Sequence, residues 1–113
     1  MDKKIISRIK IDSATMQSIN AYIEEVKKHY NVKYVILFGS YAKGTAHEDS
    51  DIDIAVVASN ITNRFEDGVN MAVISHDYGD KLEVHAMPLE DYEKTDTILA
   101  FEVRRTGIPL YAA

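Results

Sequence analysis

The alternation of short apolar runs with helical segments constrains the fold of this chain more than any other feature. The runs "KYVILF" (residues 33–38), "DIDIAVV" (51–57) and "KLEVHAM" (81–87) are bounded by polar or Gly-containing stretches or by Pro88, and each predicts a strand. A further edge strand is predicted for "IPLYA" (108–112). Strands that alternate with helices indicate an α/β or α+β domain, in which helices pack on a sheet.

Three segments between these runs have helical periodicity or helical end signals. The first covers residues 14–30, with Asp12 or Ser13 as its N-cap and with Glu24 and Lys28 as a favourable surface pair. Its apolar stripe consists of Ile19, Ile23, Val26 and Tyr30. Spacings of three and four residues place these side chains on one face, which predicts that the face is buried.

The second predicted helix covers residues 64–78, and Gly79 ends it. Its predicted inner face consists of Phe65, Val69, Ala72, Val73 and His76. The last predicted helix covers residues 96–105, with Asp96 as its N-cap and Gly107 at its end.

Length, composition and charge narrow the class of protein. With 113 residues, 46% hydrophobic and 27% charged, the chain fits a single globular domain over residues 1–113. It has no cysteine, which excludes disulfides, zinc–thiolate sites and a thiol nucleophile. No apolar run approaches the ~20 residues that span a bilayer, and no signal peptide is evident, so we expect a cytoplasmic protein without membrane association. The net charge of −5 argues against nucleic acid as a direct substrate.

Two carboxylates interrupt the second apolar run. Side chains alternate along a strand, so Asp51 and Asp53 share one face while Ile52 and Ile54 share the other. Neighbouring carboxylates repel each other and resist desolvation, and a bound Mg²⁺ or Mn²⁺ relieves both effects. The alternative is a strand end at which both carboxylates are simply solvated.

Two well-known patterns fail in this part of the chain. The pair Gly39 and Gly44 has the spacing that begins a P-loop, but the Lys-Ser or Lys-Thr that must follow is absent. The stretch from Asp49, "DSDID", resembles a calcium loop, which requires Gly at its sixth position and Glu at its twelfth. The chain has Ile54 and Asn60 there, so neither motif explains the aspartates.

A Gly-Ser turn precedes the two aspartates by ten residues. Gly39 lets a phosphate approach the backbone, and Ser40 offers a hydroxyl and a backbone N–H to a phosphate oxygen. Each half alone is typical of an ordinary turn or strand end, but the combination resembles the signature of the DNA polymerase β-like nucleotidyltransferase superfamily. The stretch "GSYAKGTAHEDSDIDIAVV" looks like its minimal nucleotidyltransferase (MNT) branch, whose small members are often encoded beside a HEPN-domain partner.

The resemblance implies a nucleotidyltransferase fold, with a small mixed sheet, and a third carboxylate on a later strand. Glu83 in "KLEVHAM" matches that position, although an exposed strand face would also explain it. His85 follows on the same face, where it would contact a metal or nucleotide or simply line the face. Lys43 stands where the family carries a basic residue that meets the triphosphate, and a surface lysine is the alternative.

The resemblance also implies a reaction. ATP would bind with Mg²⁺ or Mn²⁺ on Asp51, Asp53 and Glu83, with Gly39 and Ser40 on its phosphates, and an acceptor hydroxyl would attack the α-phosphate. In the MNT branch the acceptor is a tyrosine of a HEPN ribonuclease toxin, so the chain would be the antitoxin of a toxin–antitoxin pair and a protein adenylyltransferase.

Three alternatives stay open at this stage. The chain could be a subunit of a small-molecule nucleotidyltransferase, a non-catalytic module that neutralises a partner by binding, or a structural α/β domain. The sequence leaves undecided the acceptor, the nucleotide base, the homo- or hetero-oligomeric state and the role of His85.

Overall fold

The computed structural model describes residues 10–95 and 97–113, which form a mixed α/β fold. The strands are β1 (Val32–Phe38), β2 (Ile52–Ala58), β3 (Leu82–Pro88) and β4 (Ile108–Ala112). The helices are α1 (Ser13–Val26), α2 (Ser40–Lys43), α3 (Arg64–Ser75), α4 (Leu89–Lys94) and α5 (Ile98–Thr106), and a 3₁₀ turn (His76–Tyr78) follows α3. The four predicted strands are confirmed, whereas α4 has no counterpart among the predicted helices.

The strands form one sheet in the order β3-β2-β1-β4, so β3 and β4 are its edges. β1 runs antiparallel to both β2 and β4, and β2 runs parallel to β3. A parallel pair needs a long crossover, which α3 supplies. The sheet is therefore mixed, as the resemblance implied, and β2 lies in its interior.

The alternation of side chains along the strands produces two core layers. On one face, α1 and α3 bury Tyr22 and Met71 against strand residues that include Ile54. On the other face, α5 buries Val103 against strand residues that include Ala55. Because Asp53 shares its face with Ala55, it points toward the α5 side of the sheet.

Capping side chains set the start of the main helices. Asp12 caps α1 by accepting a hydrogen bond from the Thr15 N–H at 2.7 Å, and this backbone hydrogen bond is the main reason that the pKa of Asp12 is lowered. α1 ends at Val26, four residues before the predicted end at Tyr30, because the chain must turn into β1. Thr97 caps α5 by accepting from the Ala100 N–H at 3.0 Å. The predicted cap, Asp96, lies outside the described residues.

Ion pairs on α1 form one residue closer than we predicted. Lys27 pairs with Glu24 at 3.2 Å and Lys28 with Glu25 at 3.1 Å, both at i,i+3 spacing. The predicted i,i+4 pair between Glu24 and Lys28 is therefore wrong. Both spacings bring side chains together on a helix surface, and the choice between them depends on rotamers.

The predicted inner face of α3 is wrong. Phe65 is 80% exposed and Val73 is 59% exposed, while Met71 and Ser75 are the buried residues of this helix. The reason is close packing on β3: Gly68 has no side chain, and a Cβ at that position would lie 3.8 Å from the Ala86 Cβ. The side of α3 that carries Gly68 therefore faces the sheet, and the larger apolar side chains such as Phe65 and Val73 are exposed to solvent.

The Tyr22 hydroxyl fixes α3 on α1 from within the core. Tyr22 is fully buried, and its hydroxyl donates to the Met71 carbonyl oxygen at 3.0 Å. Burial of a polar group without a partner would be unfavourable, so this hydrogen bond specifies how the two helices pack. Within residues 10–95 and 97–113, no helix has both the length and the apolar character needed to cross a membrane.

Candidate active site

The parallel pairing of β2 with β3 brings two carboxylates together. Asp53 is the register partner of Glu83, and Ala55 is the register partner of His85. Both residues of β3 therefore stand on the same face as Asp53. Asp53, Glu83 and His85 can each offer one ligand atom so that all three atoms lie within 4.8 Å of one another.

The turn after β1 presses its backbone against this group. Phe38, the last residue of β1, is the register partner of Asp53, and Gly39 follows with φ of +74°. A Cβ built on Gly39 would collide with Asp53 Oδ2 and would lie 3.1 Å from Asp53 Cγ. Only glycine combines this backbone conformation with this close approach. Gly39 is therefore required by the position of the Asp53 carboxylate.

His85 is held beside the two carboxylates by its ring. The imidazole packs edge-on against Phe38, with 5.0 Å between ring centroids and 66° between planes. Its Nε2 atom lies 3.5 Å from Asp53 Oδ1 and 3.8 Å from Glu83 Oε1. Nε2 is inaccessible to solvent and has no hydrogen-bond partner among the described residues. A buried polar atom without a partner is uncommon in folded proteins and indicates a group that is completed by a ligand.

The electrostatics of Glu83 reflect this crowding. Partial burial raises the pKa of Glu83, and the neighbouring negative charge of Asp53 raises it further, while His85 acts in the opposite direction. The charge of Asp51 also contributes to the raised pKa of Glu83. Negative charge is thus concentrated at the first residues of β3, where it is unfavourable unless a cation neutralises it.

Asp51 lies at the border of the site. It immediately precedes β2 and is exposed to solvent, and it is not part of the three-residue group formed by Asp53, Glu83 and His85. We predicted Asp51, Asp53 and Glu83 as the metal ligands, whereas the cluster in the described structure joins Asp53 and Glu83 to His85 and leaves Asp51 out. The negative charge of Asp51 nevertheless contributes to the raised pKa of Glu83.

The remaining predicted site residues lie on α2 and the turn before it. Ser40 is the first residue of α2 and is half-buried beside Gly39. Lys43 is at the last turn of this short helix, and its Nζ lies 2.8 Å from Glu102 Oε1 on α5. Lys43 is thus paired with a carboxylate rather than free.

The donor set fits a divalent cation. Asp53 and Glu83 supply carboxylate oxygens, which suit Mg²⁺ and Mn²⁺. The orphaned His85 Nε2 and the raised pKa of Glu83 are both features that a cation would relieve. The part of His85 in this cluster is the feature that sequence reasoning left undecided. The sequence signal for this role of His85 is its spacing of two residues from Glu83, which puts both side chains on one strand face. That spacing points to the cluster only when β3 is known to pair with β2.

Comparisons with known proteins agree with this geometry. Residues 20–113 match the family described as "Polymerase beta, Nucleotidyltransferase". The chain is 35% identical over 66 residues to a provisionally named protein adenylyltransferase of Methanocaldococcus jannaschii, an alignment that covers 57% of this chain and 39% of that protein. Alignments with the curated relatives span 38–57% of their lengths.

Solved structures share the fold. One is a toxin–antitoxin complex with AMP-PNP, with a TM-score of 0.54 and 28% identity over 82% of this chain and 73% of the other. The second is the MNT antitoxin complexed with the tri-AMPylated HEPN toxin of Shewanella oneidensis, with a TM-score of 0.55, 24% identity, and coverage of 88% of this chain and 73% of the other. With most of its length matched by the family, this chain belongs to the polymerase β-type nucleotidyltransferases.

Proposed function

We propose that this chain is a metal-dependent protein adenylyltransferase, which transfers AMP from ATP to a hydroxyl group of a protein partner. One observation carries the proposal: the backbone of Gly39 lies against Asp53, and Asp53 is in register with Glu83. A phosphate-binding turn and a pair of metal-binding carboxylates are therefore side by side, which is the arrangement that phosphoryl transfer requires.

The chain's own residues position the nucleotide. The open backbone at Gly39 gives the β- and γ-phosphates access to the turn, and Ser40 donates to their oxygens from its hydroxyl and N–H. Lys43 adds positive charge to the triphosphate by exchanging its partner Glu102 for phosphate oxygens. That exchange is inexpensive, because an ion pair between partly exposed side chains contributes only about 0.2–1 kcal/mol.

The reaction forms one O–P bond and breaks another. The acceptor oxygen attacks the α-phosphorus, the bond from that phosphorus to the bridging oxygen breaks, and pyrophosphate leaves. Glu83 is the carboxylate that would accept the hydroxyl proton. Asp53 and Glu83, with Asp51 beside them, would hold Mg²⁺ or Mn²⁺, which supplies positive charge to stabilise the attacking and leaving oxygens.

The proposed acceptor is a tyrosine of a HEPN ribonuclease, with the chain acting as the antitoxin in the cytoplasm. Support comes from the likeness to a toxin–antitoxin complex with AMP-PNP and from the relatives named as protein adenylyltransferases. The partner and the acceptor are proposals, because this chain spans only part of the length of those relatives.

The test is transfer of label from ATP. The protein is incubated with α-labelled ATP, Mg²⁺ and the protein encoded by the neighbouring gene, and the products are separated by electrophoresis and mapped by mass spectrometry. Label on a partner tyrosine supports the proposal. Label on a metabolite instead would favour the small-molecule nucleotidyltransferase, with a second subunit binding the acceptor.

A second candidate function is neutralisation of a partner by docking alone. The observation that favours it is the set of exposed apolar side chains on α3, namely Phe65, Val69 and Val73. An exposed surface of this kind is typical of protein contacts. Partner binding that survives the double change Asp51→Asn and Asp53→Asn, together with an absence of label transfer by the unaltered protein, would establish docking as the function.

A further inference from the structure

We propose that His85 is itself a metal ligand, and that its nitrogen makes this site select Mn²⁺ over Mg²⁺. The inference rests on the proposed function only in treating the Asp53–Glu83 pair as the metal site. It goes further by assigning a nitrogen donor and a metal preference, neither of which the carboxylates alone would predict.

The first argument is the geometry around His85 Nε2. The distances of 3.5 Å to Asp53 Oδ1 and 3.8 Å to Glu83 Oε1 are too long for good hydrogen bonds. Two ligand atoms at about 2.1–2.2 Å from one cation lie about 3.0–3.1 Å apart at an octahedral angle and about 3.4–3.6 Å apart at a tetrahedral angle. The 3.5 Å distance falls within this range and the 3.8 Å distance lies just above it, so small inward movements of the side chains bring the three groups into shared coordination.

The second argument is the state of the nitrogen. Nε2 is shielded from solvent and has no hydrogen-bond partner among the described residues, so neither water nor protein satisfies it. The ring packs edge-on against Phe38, which keeps the imidazole beside the two carboxylates. A ligand between His85, Asp53 and Glu83 satisfies all three groups at once.

The third argument is the chemistry of the donor atoms. Mg²⁺ is a hard cation that prefers oxygen ligands and near-octahedral geometry. Imidazole nitrogen suits first-row transition metals, and Mn²⁺ accepts both imidazole and carboxylate. A site with two carboxylates and one imidazole is therefore expected to favour Mn²⁺ over Mg²⁺, whereas an all-carboxylate site would discriminate less.

The alternative role for His85 is that of a protonated neighbour, which would balance the charge of Asp53 and Glu83 without touching a metal. That role requires a proton on Nε2 and no metal contact. The two roles differ in one property that can be measured directly, which is whether the imidazole nitrogen is bonded to the cation.

The experiment uses the full-length protein, stripped with a chelator and titrated with Mn²⁺ in the absence of nucleotide. Free Mn²⁺ is followed by EPR, and nitrogen coordination is detected by electron spin-echo modulation of the bound Mn²⁺. The variants are His85→Asn, which offers an oxygen, and His85→Phe, which keeps an aromatic ring against Phe38. The exposed His76 provides a matched control as His76→Asn.

We expect nitrogen modulation in the unaltered protein and in His76→Asn, and its loss in both His85 variants. Mn²⁺ affinity should fall on the order of tenfold in the His85 variants, while Mg²⁺ affinity, measured by competition, should change far less in His85→Asn. Circular dichroism and melting curves establish that the variants fold.

Three results would overturn the inference: no Mn²⁺ binding, bound Mn²⁺ without nitrogen modulation, or modulation that persists in His85→Phe. Failure of this inference is separable from failure of the proposed function, because transfer of labelled AMP is measured independently. Transfer without nitrogen modulation removes only the role of His85, whereas modulation without transfer retains the metal site and removes the proposed reaction.

Discussion

The backbone of Gly39 and the carboxylate of Asp53 occupy adjoining space, with no room for a side chain between them. This contact joins the end of β1 to the start of β2, which are antiparallel neighbours at that point. The position of the Gly39 turn is therefore linked to the position of the Asp53 carboxylate, and a change in either should disturb both.

Gly39→Ala should impair both stability and activity. The added Cβ collides with Asp53 Oδ2, and the φ of +74° is unfavourable for alanine. We expect the free energy of unfolding to fall by about 1–3 kcal/mol or more from the backbone conformation alone, and label transfer to be lost because Asp53 is displaced. Urea denaturation and the transfer assay measure the two effects.

Gly44→Ala is the matched control for Gly39→Ala. Gly44 also has a positive φ, +75°, although its ψ of 19° is left-handed helical whereas the ψ of Gly39 is −152°, and a Cβ on Gly44 would have no heavy atom within 4 Å beyond its chain neighbours in the described structure. This variant should therefore lose some unfolding free energy because of its backbone conformation, and it should retain transfer activity. Equal effects of the two changes on activity would contradict a specific contact between Gly39 and Asp53.

Glu83→Gln should abolish label transfer and leave the fold intact. The change keeps the size of the side chain while removing its charge and its ability to accept a proton. Circular dichroism should match that of the unaltered protein. A variant that retains near-normal transfer would show that Glu83 has no role in the reaction.

The same substitution should change how stability depends on pH. Because burial and Asp53 raise the pKa of Glu83 in the folded chain, its contribution to stability is present below the ordinary glutamate pKa of 4.5 and is lost as the pH rises through the raised value. Glutamine does not titrate. In chelator, Glu83→Gln should therefore gain stability relative to the unaltered protein as the pH rises over this window, as measured by melting curves at several pH values.

Lys43→Ala should weaken ATP use far more than it weakens folding. The exposed ion pair with Glu102 contributes at most about 1 kcal/mol to stability. Loss of a hydrogen bond to charged phosphate costs roughly 1.5–3 kcal/mol, so the KM for ATP should rise about tenfold or more. Glu102→Gln, which breaks the ion pair but keeps the lysine, should leave KM unchanged or lower it; an equal rise in KM there would argue against phosphate contact by Lys43.

Met71 and Val73 of α3 should respond in opposite ways to truncation. Met71 is fully buried, so Met71→Ala should cost about 2–5 kcal/mol of unfolding free energy. Val73 is 59% exposed, so Val73→Ala should change stability by no more than about 0.5 kcal/mol. Urea denaturation compares the two, and a larger loss at Val73 would contradict the orientation of this helix.

Sequence patterns predicted the strands and the main helices because each has a local signal. "KYVILF" and "DIDIAVV" became β1 and β2 to within one residue at each end. The short helix α4 was missed because its six residues form fewer than two turns, in which Leu89 and Tyr92 are the apolar pair that packs on the core.

The prediction of the buried face of α3 was wrong for a different reason. Periodicity reports that an apolar stripe exists, but it does not report whether the domain itself covers that stripe. Gly68 and Met71 pack on the sheet instead, and Phe65, Val69 and Val73 remain exposed. The apolar stripe is present on α3, but the prediction that it packs in the core was wrong.

The candidate site was predictable only in part. Alternation along the second apolar run predicted a common face for Asp51 and Asp53, and the family resemblance pointed to Glu83. The register that joins Asp53 to Glu83 depends on how α3 returns the chain, which no local pattern encodes. The same register determines that His85, rather than Asp51, completes the closest cluster.

The two edges of the sheet differ in their protection against unwanted pairing with other chains. β4 is short and carries Pro109, which cannot donate a hydrogen bond, so that edge is poorly suited to accept another strand. β3 has proline only at its last residue, and the exposed carboxylate of Glu83 is the charge that guards it. Glu83→Gln therefore removes an edge charge together with the proposed proton acceptor, and protein with this change should be prepared at low concentration and monitored by light scattering.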